Sequence, residues 1–539
     1  MEHLENELLE FIQSFENKVI DLSKELGLSS YEASISGKST EFEKTAELEL
    51  KLKKVFSNKD DFEKIKVFKS SKKIKNGVLL RELEILYNSF AEYQIDDALL
   101  KKTVNLASKI EQTYSTFRAE VNNKKLTDNE IDEILETSKD SQELEKTWKA
   151  SKQIGKQVSN DVIELVKLRN EAAKNLGYKN YHQMSLILSE LDPDYMDKLF
   201  DDLDNLLKPK FETLKTEIDD YLSTFYNVEK NDLMPWHYQD KFFQQGPKIY
   251  NIDLDKYYKE ADIEKLTKEY FNGISLEIDD MLAKSDLYEK DGKYQHAYCT
   301  AIDREGDVRV LCNITKNYKW MGTMLHEFGH AVYDKFVSKQ LPWLLREHAH
   351  IFTTEAIAML FGRLASNPNW MKEMLNITNE EKNVIKNDCY NSLRLEQIIF
   401  FRWVQVIYRF EKAMFENPDR DLNSLWWELV EKYQGLKKPE GRNQPDWASK
   451  IHIALYPVYY QNYMMGELLA SQLYYYINEK VLNNSADESA SFVNKKDVGE
   501  YLKNLFFSYG SVYKWDNLIK IATGEKLNPD YWVKQFAKN

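Results

Sequence analysis

His326, Glu327 and His330 stand in the run MLHEFGHAVY, 324–333. On a helix, residues four apart share a face, so both imidazoles can hold one metal ion with Glu327 beside it. Glu327 is badly placed to be a third ligand. It can instead take a proton from a water at the metal, which is the chemistry of metal-assisted hydrolysis. The flanks WMGTML and AVYDKF are apolar on both sides, so this helix is expected to be buried. Two histidines and a glutamate on one face of a buried helix need an explanation.

A third ligand is expected from a second helix. HIFTTEAIAMLFGRLAS, 350–366, is strongly apolar at helical period, and Glu355 is its only carboxylate. A lone acid in such a helix is costly unless a partner neutralises it, and zinc would do so. His348 and His350 compete for the role, but both lie in the polar turn LREHAH, where solvent satisfies them easily. Three protein ligands with one open position describe a catalytic zinc site.

The elements that must position these residues read as helices. Only 18 Gly and 11 Pro interrupt 539 residues. ELLEFIQSFENKVIDLSKEL near the start and YMDKLFDDLDNLLKPKFETLKTEIDDYLSTFY, 195–226, repeat apolar residues at three- and four-residue spacing. The fold class expected is mainly α, with one small sheet near 295–314. There HAYCTAIDREGDVRVLCNI, 296–314, reads as two strands around a turn at Arg304-Glu305-Gly306-Asp307. Folding there puts Cys299 opposite Cys312, and the pair reads as two reduced core cysteines. The irregular stretches 233–247 and 435–450 are expected to be packed crossings within a single body of residues 1–539. Its intertwined halves divide at about residue 240.

A formal net charge of −14 argues against a nucleic-acid partner, because phosphate binding needs a concentrated basic face, and KSSKKIK at 69–75 is too short to be one. No apolar run is long enough to span a membrane. The start MEHLENELLEF has no signal-peptide core. A cytoplasmic protein is expected if residue 1 is the native start, and a periplasmic or secreted one if a leader has been removed.

HEFGH followed 25 residues after His330 by the Glu355-Ala356-Ile357 triplet resembles the angiotensin-converting-enzyme family of zinc peptidyl-dipeptidases, and more distantly thimet oligopeptidase and oligoendopeptidase F. LPWLLREHAHIFTTEAI, 341–357, resembles the family's connection between zinc helices. LEKTWKASKQIG, LRNEAAKNLGYKNY, DWASKIHIALYPVYYQNY and GSVYKWDNLIKIATG extend the resemblance from about residue 140 to the end. It implies a two-lobed helical body around a deep groove with zinc at its floor, and short peptides as substrates. HAYC at 296–299 resembles the strand lying along the substrate, so His296 and Ala297 would bind peptide backbone. Three departures stand out. The family acid that supports a zinc histidine is Met359 here, its chloride-binding Arg is Asn462, and no glutamine matches the one that binds the substrate carboxylate.

Pro457 can start a helix, which places Tyr456, Tyr460 and Tyr463 at i, i+4 and i+7 on one face. By period alone an aromatic core stripe and a functional face fit equally well. The resemblance implies that His452 and Tyr463 donate to the tetrahedral oxyanion, and that Lys450 and Tyr460 hold the substrate's terminal carboxylate. The function expected is a dipeptidyl carboxypeptidase. An oligoendopeptidase is the alternative, and an inactive peptide- or protein-binding relative is a third reading.

Overall fold

Long helices form wherever three- and four-residue apolar spacing gives the chain one continuous face to bury. The computed structural model describes residues 2–250, 252–484 and 490–537. The chain divides into two compact units, each assembled from separated segments. One comprises Met1–Gln94, Ile252–Cys389 and Met465–Gln535, and the other Ile95–Asn251, Tyr390–Met464 and Phe536–Asn539. Six of the helices are α1 (Glu2–Ser36), α2 (Pro193–Tyr226), α3 (Tyr318–Phe336), α4 (Ile351–Gly362), α5 (Ile451–Leu455) and α6 (Tyr460–Tyr476). Among the described residues the strands form two antiparallel hairpins, β1 (Ala119–Val121) with β2 (Lys124–Leu126) and β3 (Tyr298–Ala301) with β4 (Val308–Leu311). The mainly α fold is as expected, and β1–β2 adds a second sheet. Its turn, Asn122-Asn123, has both φ positive (51° and 65°), a conformation asparagine tolerates and tight hairpins use.

In the first unit α1 buries Leu8, Ile12, Phe15 and Val19 along one stripe. Near its end the Tyr31 hydroxyl donates to the Val310 carbonyl at 3.1 Å and accepts from the Asp286 N–H at 2.8 Å, tying α1 to β4. Below the hairpin the buried Lys293 ammonium donates to the carbonyls of Asp286, Tyr288 and Cys312 (2.9, 2.7 and 2.5 Å) and to the Asp286 carboxylate (2.7 Å). A buried cation is tolerable only when its donors are satisfied in this way.

The β3–β4 register differs from the one expected. Cys299 pairs with Val310, not with Cys312. The Asp303 carboxylate accepts from the N–H groups of Glu305 and Asp307 (2.8 and 3.1 Å), and the Ile302 N–H closes on the Asp307 carbonyl at 2.7 Å. The loop is thereby centred one residue earlier, which slips the pairing by two. A two-residue slip leaves each side chain on its own face, so the apolar pattern cannot tell the two registers apart. All three cysteines are free thiols.

In the second unit α2 is capped by Asp192, whose carboxylate accepts from the Tyr195 N–H at 2.7 Å, and begins at Pro193. It ends on Asn227 at φ 53°. The stretches 233–247 and 435–450 both lie in this unit and are largely irregular. The second is held by Asp446, a buried carboxylate that accepts from Arg442 through both oxygens (2.7 and 2.6 Å) and from Trp427 Nε1 at 3.2 Å.

Candidate functional site

α3 opens on Asn317, whose side chain accepts from the Trp320 N–H at 2.8 Å. It carries His326, Glu327 and His330 toward α4, which is buried along nearly its whole length. The two helices approach closely because Gly329, between the histidines, has no side chain. A Cβ there would lie 2.8 Å from Ala358 Cα and 3.1 Å from the Ile357 carbonyl oxygen. Gly466 on α6 does the same from another direction, since a Cβ there would meet Glu355 Cβ at 3.0 Å and Met359 Sδ at 3.2 Å. Two glycines therefore let three backbones crowd around Glu355.

The result is a compact donor group. One ligand atom each from His326, His330 and Glu355 lies within 4.8 Å of the others. Nε2 of each histidine is 3.8 Å from Glu355 Oε2. That oxygen is buried and has no hydrogen-bond partner among the described residues. Burial holds His326 down at about 4. His330 is lowered by burial and by the neighbouring His326 and His348. Burial pushes Glu355 up to about 7, with His348 pulling the other way. Two neutral imidazoles and an unsatisfied carboxylate oxygen converging at one point fit a divalent cation with nitrogen and oxygen ligands.

His348 and His350 are engaged elsewhere. His348 Nδ1 lies 3.6 Å from the Asp334 carboxylate, and His350 caps α4, its Nδ1 accepting from the Phe352 N–H at 3.2 Å. Support for His330 comes from a residue that sequence reasoning missed. Thr354 Oγ1 is 2.7 Å from His330 Nδ1. A proton on Nδ1 shared with Thr354 leaves the Nε2 lone pair facing Glu355, the tautomer a metal requires.

Glu327 is 8% exposed. Burial and then the nearby Glu355 push its carboxyl up to about 8, while the Cys299 N–H of β3 holds it down through a hydrogen bond. β3 thus sits directly against the acid. His296 and Ala297 lie just before β3 in unpaired backbone rather than inside the strand, with the His296 ring 5.4 Å from that of Tyr294.

The remaining expected residues gather in the second unit. Lys450 and His452 flank the start of α5, and Tyr460 and Tyr463 lie on the first turn of α6. The His452 and Tyr460 rings are 5.1 Å apart, those of Tyr460 and Tyr463 5.6 Å, and Lys450 Nζ stands 5.6 Å from the Tyr460 ring. His452 Nδ1 is buried with no hydrogen-bond partner among the described residues, and burial followed by the Lys450 charge lowers the imidazole to about 4. The three-tyrosine stripe is corrected. α6 begins at Tyr460 rather than at Pro457, so Tyr456 falls in the irregular lead-in and is 53% exposed.

Lys450 also has a neighbour that the sequence did not offer. Its Nζ donates to Gln244 Oε1 at 2.7 Å. Gln244 sits on backbone turned by Gln239 and Phe243, both at positive φ (60° and 52°). No periodicity marks such a residue. Burial lowers the Lys450 ammonium to about 8, with Asp240 opposing and Lys241 reinforcing the shift.

A family model described as angiotensin-converting enzyme matches residues 2–530. The chain belongs to the angiotensin-converting-enzyme family. That family comprises zinc metallopeptidases, and the oligoendopeptidase kinship gains no support. The angiotensin-converting enzyme of Theromyzon tessulatum is 24% identical over 473 residues, covering 80% of this chain and 76% of that protein. The angiotensin-converting enzyme of Rattus norvegicus is 24% identical over 437 residues, 74% of this chain but only 32% of its own length. The inactive angiotensin-converting enzyme-related protein of Caenorhabditis elegans is 23% identical over 279 residues, 50% of this chain and 29% of that protein. Membership of the angiotensin-converting-enzyme family therefore leaves activity to be argued from the residues themselves.

Proposed function

We propose that this chain is a zinc peptidase that releases dipeptides from the free C-terminus of short peptides. The observation carrying the proposal is the orphaned, buried Glu355 oxygen facing two histidine Nε2 atoms, with Glu327 on the same helix face. His326, His330 and Glu355 would hold the zinc. When bound, zinc supplies a Lewis acid that polarises the scissile carbonyl and acidifies water. Glu327 takes the proton of the attacking water and returns it to the leaving nitrogen. His452, kept neutral by burial, and Tyr463 donate to the oxygen where negative charge develops. His296 and Ala297 bind substrate backbone. Lys450 and Tyr460 hold the terminal carboxylate, and Gln244 joins them through its amide. The Lys450–Gln244 pair favours carboxyl-terminal over internal cleavage, because a half-buried ammonium with an adaptable amide beside it is a site for a carboxylate.

Zinc-loaded protein should carry about one zinc and release dipeptides from a C-terminally free peptide. Product masses read the outcome. Fragments from internal cuts would favour endopeptidase action, and zinc binding with no turnover would favour a peptide-binding relative.

A further inference from the structure

A strained turn separates His452 from the two tyrosines. Between the end of α5 and the start of α6 the chain turns through Tyr456–Tyr459, and Val458 there has φ 60°. A β-branched residue in that region is held against its own preference, so something nearby must hold it. Glu411 does so on one side: its Oε2 accepts from the Val458 N–H at 3.1 Å. Arg169 holds the segment just before, donating to the carbonyls of Ala454 at 3.0 Å and Leu455 at 3.4 Å. Gln461, on the first turn of α6, donates to the Val458 carbonyl at 2.6 Å. Glu411 is only 1% exposed, its Oε1 has no hydrogen-bond partner among the described residues, and no step of the reaction uses it. A carboxyl group buried there, within reach of the Arg169 charge and with one oxygen aimed at a backbone N–H, is placed to hold that N–H.

We propose that Glu411 is a positioning residue, which with Arg169 latches the turn from Ala454 to Val458 and so fixes His452 against Tyr460 and Tyr463. Without the latch Val458 relaxes to negative φ, the lead-in to α6 re-registers, and the imidazole and the phenols no longer converge. The consequence for catalysis rests on the peptidase reading, but the latch itself does not.

The test uses E411M, which removes the acceptor at similar volume, E411Q, which keeps an acceptor oxygen, and E411M/V458G, in which glycine adopts positive φ without strain. Amide hydrogen exchange across residues 452–463 reads the turn directly. E411M is expected to exchange at least about tenfold faster there, with E411Q near wild type and E411M/V458G restored. In parallel, kcat of zinc-loaded E411M should fall on the order of 10²-fold at unchanged zinc content, because a small misplacement of catalytic groups costs that much, and the double variant should recover most of it. Wild-type exchange in E411M, or fast exchange that V458G does not restore, would overturn the latch. If E411M does not fold, R169M releases the carbonyls of Ala454 and Leu455 and must speed the same exchange. If it does not, the proposal fails. A wild-type protein that turns over no peptide, with the exchange results as expected, would sink the peptidase reading and leave the latch standing.

Discussion

Glu327, Tyr463 and Thr354 are each assigned a task that a small substitution can delete while leaving the surrounding packing in place. Glu327→Gln removes only the proton carrier. Zinc content should stay at the wild-type level while kcat falls by ~10²–10⁴-fold, and metal analysis beside steady-state kinetics reads both. Residual turnover near wild type would remove Glu327 from the role of base. Tyr463→Phe keeps the ring against Phe400 and Tyr460 and deletes one donor. Its kcat should drop on the order of 10²–10³ with KM and melting temperature little changed. A fully active Tyr463→Phe with a shifted melting temperature would make Tyr463 part of the core. Thr354→Val should weaken zinc binding by ~10–100-fold in chelator competition, because it frees the His330 ring, and Thr354→Ser should restore it. Equal affinity in all three proteins would show that His330 is oriented by packing alone.

At the scale of elements the site is a crossing of α3 and α4 with no room for a side chain between them. Gly329→Ala forces a methyl to within 2.8 Å of Ala358 Cα, and backbone cannot yield as a flexible side chain would. The helices must part, carrying Glu355 away from the histidines. The expected loss is ~1–3 kcal/mol of stability together with weaker zinc binding. Gly77→Ala is the control, because a Cβ there meets nothing within 4 Å and its φ is not positive. It should be neutral or slightly stabilising in the same denaturant titration. Zinc affinity unchanged in Gly329→Ala would mean that the ligand geometry does not depend on this close approach.

Across the whole molecule, residues far apart in the chain meet at the proposed carboxylate site and at the turn before α6. Lys450 and Gln244 are 206 residues apart, and Arg169 reaches Ala454 across 285. A free substrate carboxylate should be preferred over an amide only while Lys450 is charged. Burial lowers that ammonium to about 8, so the cation is present below that pH and lost above it. The ratio of kcat/KM for free over amidated peptide should therefore be largest below about pH 8 and fall as pH rises through it. Lys450→Ala should flatten the profile. A ratio independent of pH in the wild type would remove Lys450 from the carboxylate site.

What the sequence determined by itself was whatever depends on short spacing. The His326–Glu327–His330 face follows from helical period, and Glu355 from being the sole acid in an apolar helix. The long helices, among them 195–226 inside Pro193–Tyr226, follow from apolar repeats. The β3–β4 hairpin was legible but its register was not, since a slip of two residues preserves the pattern and Asp303 decides the loop. The start of α6 was misread because Pro457 is compatible with a helix start, whereas Glu411 captures the next N–H and holds Val458 in a turn. Thr354, Gln244 and Glu411 carried no signal at all. Each acts through one hydrogen bond whose partner is brought near only by the fold, and irregular backbone at positive φ has no period to announce it. Local spacing names the residues able to do chemistry. Only tertiary packing decides which polar group meets which, because that meeting depends on how closely helices approach and where strained turns are held.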